Sequence, residues 1–288
     1  MRHLIINADD FGLTPGVNRA ILEGHLHGVV SSSTLMANGK AFHDALILSR
    51  SAPALSIGCH VVLTDGSPVL EESKVSSLTE GGAFQTSLRK FMAKAIMGRL
   101  DDDQIEGEVI AQISKLQAAG IVVSHFDTHK HTHLLPQILR PILRAAQACG
   151  LRAVRNPFGP IRFAMVAAQP KLWKRYGQIK ALCVLARKFR STIEKAGLRT
   201  PDGTVGIVGT GMLNEALFKS ILQDLPEGTW EFVCHPGYND ADLQQVQTRL
   251  WESRAEELRV LTSPIAREIL AANGIKLISY RDFVEMTS

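Results

Sequence analysis

At 288 residues the chain is long for an ordinary domain and normal for one α/β barrel, so a single domain over 1–288 is the expectation. An apolar share of 45% and a charged share of 21% argue against a disordered chain and against a membrane-spanning one. The formal net charge of +4 is too small to point to nucleic acid, yet it is uneven: residues 171–199 carry nine Lys or Arg against Glu194 alone, about +8, leaving about −4 elsewhere.

The chain opens with a short apolar run, His3-Leu-Ile-Ile-Asn-Ala, that turns polar at Asp9-Asp10, too soon for the core of a signal peptide. No later stretch reads as a transmembrane span. The four cysteines, Cys59, Cys149, Cys183 and Cys234, lack CxxC spacing, so reduced, buried thiols in a cytoplasmic protein are expected. Cys59 and Cys234 each precede a histidine on a predicted strand, where neighbours point to opposite faces, and so are expected to pack in the core.

Apolar runs alternate with amphipathic stretches from end to end, the pattern of repeated βα units around a parallel sheet. Strands are predicted near 3–8, 29–36, 54–60, 121–127, 151–155, 204–209, 230–235 and 275–280. Helices are marked by their ends: Thr14-Pro15 opens one that Gly28 closes, Asp103 to Ala119 stops at Gly120, Pro136 to Cys149 stops at Gly150, and Ser263-Pro264 opens the last, ending at Gly274. The expected fold is α/β, a TIM-like (β/α) barrel of seven or eight parallel strands, with room for irregularity and its active site at the strand C-terminal rim. Residues 64–90 and 156–200 read as insertions on strand-to-helix connections. No internal repeat or linker divides the chain.

Five predicted strands end in residues suited to metal binding or proton transfer: Asp9-Asp10, His60, Asp127 with His129, Arg155, and His235. In a parallel barrel these ends share one face. An Asp-Asp pair after a strand is more often a capping turn, and His25, His27 and His43 on helical stretches read as surface or capping residues. The run Asp127-Thr-His-Lys-His-Thr-His133 is harder to explain that way. If strand conformation persists, Asp127, His129, His131 and His133 line one side, and burying them costs several kcal/mol unless a cation or hydrogen bonds compensate. Imidazole with carboxylate suits Zn²⁺, Mn²⁺, Fe²⁺, Co²⁺ or Ni²⁺, and three protein ligands with open positions would make the site catalytic.

Several linked motifs then take on meaning together: Asn7-Ala-Asp-Asp-Phe-Gly-Leu-Thr14, Ser33-Thr-Leu-Met-Ala-Asn38, Gly58-Cys-His-Val-Val-Leu-Thr64, Ser124-His-Phe-Asp-Thr-His-Lys-His-Thr-His133, Arg155-Asn-Pro157 and Cys234-His-Pro-Gly237. In this order they resemble the YdjC-like carbohydrate deacetylases, a family that includes chito-oligosaccharide deacetylases and deacetylases associated with hopanoid biosynthesis. The resemblance implies a β/α barrel that hydrolyses the N-acetyl group of an amino sugar, with one divalent ion, Mg²⁺ by resemblance, while Zn²⁺ or another transition metal stays open. It implies Asp10, His60 and His129 as metal ligands, Asp9 as general base and His235 as general acid. Asp127, His131, His133 and Arg155 would then contact those residues or the substrate. Other readings stay open: a barrel hydrolase of a phosphoester or another amide, with Arg155 as an anion clamp, or a non-catalytic sugar- or metal-binding barrel.

The stretch 156–200 departs from the family pattern. Its cations are interleaved with Trp173, Tyr176, Ile179, Leu182, Val184, Leu185, Phe189 and Ile193, which predicts one or two helices with solvated basic faces. The alternative is a peripheral membrane contact through 171–199 that presents a lipid-linked amino sugar to the mouth. The sequence leaves the sugar, the oligomeric state and a homo-oligomer open.

Overall fold

The computed structural model describes residues 1–160 and 170–286; part of the predicted 156–200 insertion, 161–169, lies outside the described residues. Its centre is a curled parallel sheet of seven strands, an α/β half-barrel: β1 (Arg2–Phe11), β2 (Ser32–Leu35), β3 (Ser56–Val61), β6 (Phe126–Thr128), β7 (Gly203–Val205), β8 (Gly228–Cys234) and β9 (Ile275–Leu277). The order across it is β6-β3-β2-β1-β8-β7. Strand β9 joins only the N-terminal end of β1, pairing Arg2 to Leu4, where β2 has not yet begun to pair. The remaining strands, β4 (Thr79–Glu80) and β5 (Ala83–Phe84), form a small antiparallel hairpin inside the predicted 64–90 insertion.

Among the described residues strand ladders do not close this sheet into the expected seven- or eight-strand barrel, and the reason is local. The predicted strand 151–155 survives as two isolated bridges, Phe126 to Val154 and Ala153 to Arg199, before Pro157, which cannot donate to a ladder. The predicted strand 204–209 ends early because Gly206 takes φ 91 and starts a 3₁₀ turn, Ile207–Gly209.

Helices cover the outer face, and their ends follow the sequence signals. Helix Pro15–Leu26 has Thr14 accepting from the Val17 amide, and Asp101 caps helix Asp102–Ala118. That helix turns Ile105, Val109, Ile113 and Leu116 inward, as their spacing predicts, and one continuous apolar cluster runs from the sheet into this layer. Cys59 and Cys234 are fully buried free thiols. The basic segment folds as two helices, Pro170–Leu182 and Ala186–Lys195, with Phe189 and Ile193 buried against the core. Several of its cations serve intramolecular bonds: Arg175 donates to Val208 and Thr210 carbonyls, and Arg190 pairs with Asp202. Among the described residues no helix is long and apolar enough to cross a membrane.

Candidate active site

Two adjacent aspartates on a regular strand would point to opposite faces. Here β1 carries an irregularity between Ala8 and Phe11 in its pairing with β2, and Asp10 sits at φ 68. The bulge turns both carboxylates into the same rim, at a backbone cost that an ordinary strand end would not incur.

Asp10 Oδ1 lies 3.4 Å from His60 Nε2 and 3.4 Å from His129 Nδ1, and these two nitrogens are 3.3 Å apart. Ligand atoms about 2.0–2.2 Å from one ion stand roughly 2.9–3.5 Å from each other in tetrahedral or octahedral arrangements, so this donor set fits a single divalent ion. Each imidazole is held from behind. His60 Nδ1 donates to Asp127 Oδ1 at 2.6 Å, which turns Nε2 toward Asp10 and His129; His129 Nε2 faces Asp65 Oδ2 at 3.6 Å. Asp65, at φ 66 after β3, also takes the Lys130 ammonium at 2.5 Å, tying the 64–90 insertion to the histidine loop.

A second grouping, Asp9, His60 and Asp127, is also close enough to bind a cation, but Arg155 already occupies it. The guanidinium is fully buried, bonded to Asp9 (2.6 and 2.7 Å), Asp127 (2.5 Å) and Glu231 (2.7 and 2.8 Å). Burial by itself would raise the Asp9 carboxyl, but the charge and hydrogen bonds of Arg155, helped by His60 and His235, hold it far below the usual carboxylate range. Asp10 is likewise raised by burial and lowered on balance, chiefly by Arg254. Burial lowers the His60 imidazole, yet Asp127, Asp10 and Asp9 more than offset that and push it up to about 10.

His235 follows β8, with Nε2 at 3.8 Å from Asp9 Oδ2; burial takes it down to about 4, so it is neutral at pH 7. Its backbone amide donates to Glu257 Oε2 at 2.5 Å.

The structure thus brings Asp9, Asp10, His60, Asp127, His129, Arg155 and His235 together, with His131 and His133 beside them: His133 bonds the Arg155 backbone, and both imidazoles feel the Arg155 charge. Strand conformation stops at Thr128, contrary to the expected one-sided alternation through His133, because Lys130 and His131 take φ 55 and 52 within a 3₁₀ segment. His133 is buried, clasped by Thr128 Oγ1 at 2.6 Å and packed on the Phe189 ring. His131 is half-buried, and desolvation keeps both imidazoles below their usual value. Arg155 is enclosed by three carboxylates and has no exposed surface with which to clamp a substrate phosphate.

Four charged residues of the site escaped the sequence reading: Asp65, Glu231, Arg254 and Glu257. Arg254 and Glu257 share a face of helix Glu252–Thr262 with Leu258 and Leu261, all buried. Charges at apolar-face positions were the available signal. Asp65 and Glu231 carried none.

A sequence model for the family described as YdjC-like protein matches residues 3–272. A carbohydrate deacetylase of Geobacillus stearothermophilus is 32% identical over 285 residues, covering 99% of both chains. A chitooligosaccharide deacetylase of Serratia marcescens is 33% identical over 287 residues, covering 97% of this chain and 98% of its own. Among solved structures, an Enterococcus faecalis protein named for cellobiose-phosphate cleavage superposes with a TM-score of 0.76 at 28% identity, covering 98% of each chain. The lactam utilization protein of Thermus thermophilus, at TM-score 0.51 and 17% identity, covers 96% of this chain and 99% of its own and shares the fold.

Proposed function

This chain belongs to the YdjC-like family, and from that membership and the rim geometry we propose that it is a divalent-metal-dependent N-deacetylase of an amino sugar, releasing acetate and a free amine. The observation that carries the reading is the convergence of Asp10 Oδ1, His60 Nε2 and His129 Nδ1 within 3.4 Å of one another, beside Asp9 and His235. A divalent ion held by Asp10, His60 and His129 would supply Lewis acidity to the attacking water and the amide carbonyl.

The other steps fall to the chain itself. Asp9 Oδ1 is saturated by Arg155, Asn7 and Thr34, whereas among the described residues Oδ2 accepts only from Arg155 and lies nearer His235. Asp9 Oδ2 therefore takes the proton of the attacking water, and Arg155 keeps Asp9 ionised and correctly turned for it. Neutral His235, adjacent at 3.8 Å, relays that proton to the departing nitrogen, so one proton passes from water to amine.

The test is acetate release from N-acetylglucosaminyl substrates by metal-stripped enzyme with single ions restored, run beside Asp9→Asn and His235→Ala. We expect turnover to require an ion and to fall about 10²- to 10⁴-fold in each variant. Turnover that ignores both treatments would remove the mechanism, and phosphate release in place of acetate would favour a phosphoester hydrolase.

A further inference from the structure

Asp10 offers two oxygens, and they have different company. Oδ1 faces His60 Nε2 and His129 Nδ1, while Oδ2 is bonded by Arg254 Nη2 at 2.5 Å. The guanidinium that makes this bond is fixed on several sides. Arg254 is 1% exposed, its Nε donates to the Leu250 carbonyl at 3.1 Å, and its backbone carbonyl accepts from the Gly237 amide at 3.2 Å. Its Cδ passes so close to Gly237 that a Cβ there would lie 2.9 Å away, so the arm runs through a slot that only glycine leaves open. The other end is no freer, because Asp10 is set by the left-handed backbone of the β1 bulge. Neither partner can rotate to exchange oxygens without giving up a buried bond.

We propose that Arg254 is a positioning residue that restricts Asp10 to one-oxygen ligation and thereby sets the ion preference of the site. This rests on the reading of Asp10, His60 and His129 as metal ligands. With Oδ2 withheld, the protein presents three single-atom donors, a set suited to small ions that bind at about 2.0–2.2 Å. Ca²⁺ binds at about 2.3–2.6 Å with six to eight oxygens and commonly takes a carboxylate through both atoms, which Arg254 prevents here. The two imidazoles already disfavour Ca²⁺; the arginine adds a geometric exclusion to that chemical one. It also compensates a buried carboxylate before any ion arrives, so the ligand is held ready.

The experiment is calorimetric titration of metal-stripped protein with Mn²⁺ and separately with Ca²⁺, for wild type, Arg254→Met and Arg254→Gln, with circular dichroism as the folding check. Freed Oδ2 should narrow the Mn²⁺ over Ca²⁺ preference by about tenfold or more in the Met variant. The Gln variant should shift the same way, and it decides the matter should the Met variant fail to fold. A ratio within twofold of wild type in a folded variant that still binds Mn²⁺ overturns the inference and leaves the metal triad standing. Wild type that binds neither ion overturns the triad and this inference with it.

Discussion

Asp9 and Asp10 are neighbours with separate partners: Arg155 holds one and Arg254 the other, and both arginines are buried. Glu257 differs, since it lies beside Arg254 yet accepts from the backbone amides of His235 and Gly211, and burial pushes its carboxyl up to about 7. A carboxyl raised in the folded state binds its proton more tightly than in the unfolded chain. It costs nothing below pH 4.5, erodes stability as pH rises from there to about 7, and costs a constant amount above, on the order of 3 kcal/mol. Glu257→Gln keeps an acceptor for the His235 amide without the charge. Denaturant unfolding between pH 5 and 8 should show the variant gaining on wild type as pH rises; a gap that does not change with pH would contradict this ionisation.

At the scale of elements, the strand ends were legible because apolar runs followed by Asp or His mark where a parallel strand leaves the core, and Thr14, Gly120 and Gly150 marked helix limits. Strand 151–155 misled because a short apolar run looks the same whether it makes a ladder or two bridges. The histidine run misled for a related reason: alternation is visible in sequence, but the positive φ at Lys130 and His131 that abolishes it is not. Glu231 and Asp65 were invisible because their partners lie 76 and 64 positions away, and pairing at that range leaves no periodicity. The loop that carries His129 is steadied by the clasp of Thr128 on His133 and by Phe189, from the helix Ala186–Lys195, against the His133 ring. Phe189→Ala should cost about 3–5 kcal/mol and also weaken metal binding. Phe218→Ala, which removes an equally buried ring stacked edge-on to Phe232, should cost similar stability with metal affinity unchanged. Parallel calorimetry on the two variants distinguishes a loop effect from general loosening.

Over the whole molecule, the interior of the half-barrel is polar where a closed barrel would be packed with branched apolar side chains. Arg155 reaches Glu231, Glu231 accepts from the Tyr280 hydroxyl at 2.6 Å, and the Tyr280 ring stacks on His125 at 3.6 Å between centroids. His125 in turn meets Asn7 Oδ1, whose amide supports Asp9. The segment after β9 therefore braces Asp9 from beneath, through one continuous set of buried contacts. Tyr280→Phe deletes only the hydroxyl that Glu231 uses, and should lower stability by about 1–3 kcal/mol. Thermal unfolding compared with wild type reads this directly, and an unchanged midpoint would show the bond to be redundant.

The pairing of β1 has a temporal consequence as well. Its residues are made long before those of β8 and β9, which bond its N-terminal half on either side. At about 5–20 residues per second, Leu4, Ile5 and Ile6 wait roughly 10–50 s for the partners that cover them. Until β8 and β9 are made, that stretch of β1 has no ladder partner and is an open strand edge, the kind that invites pairing with other chains.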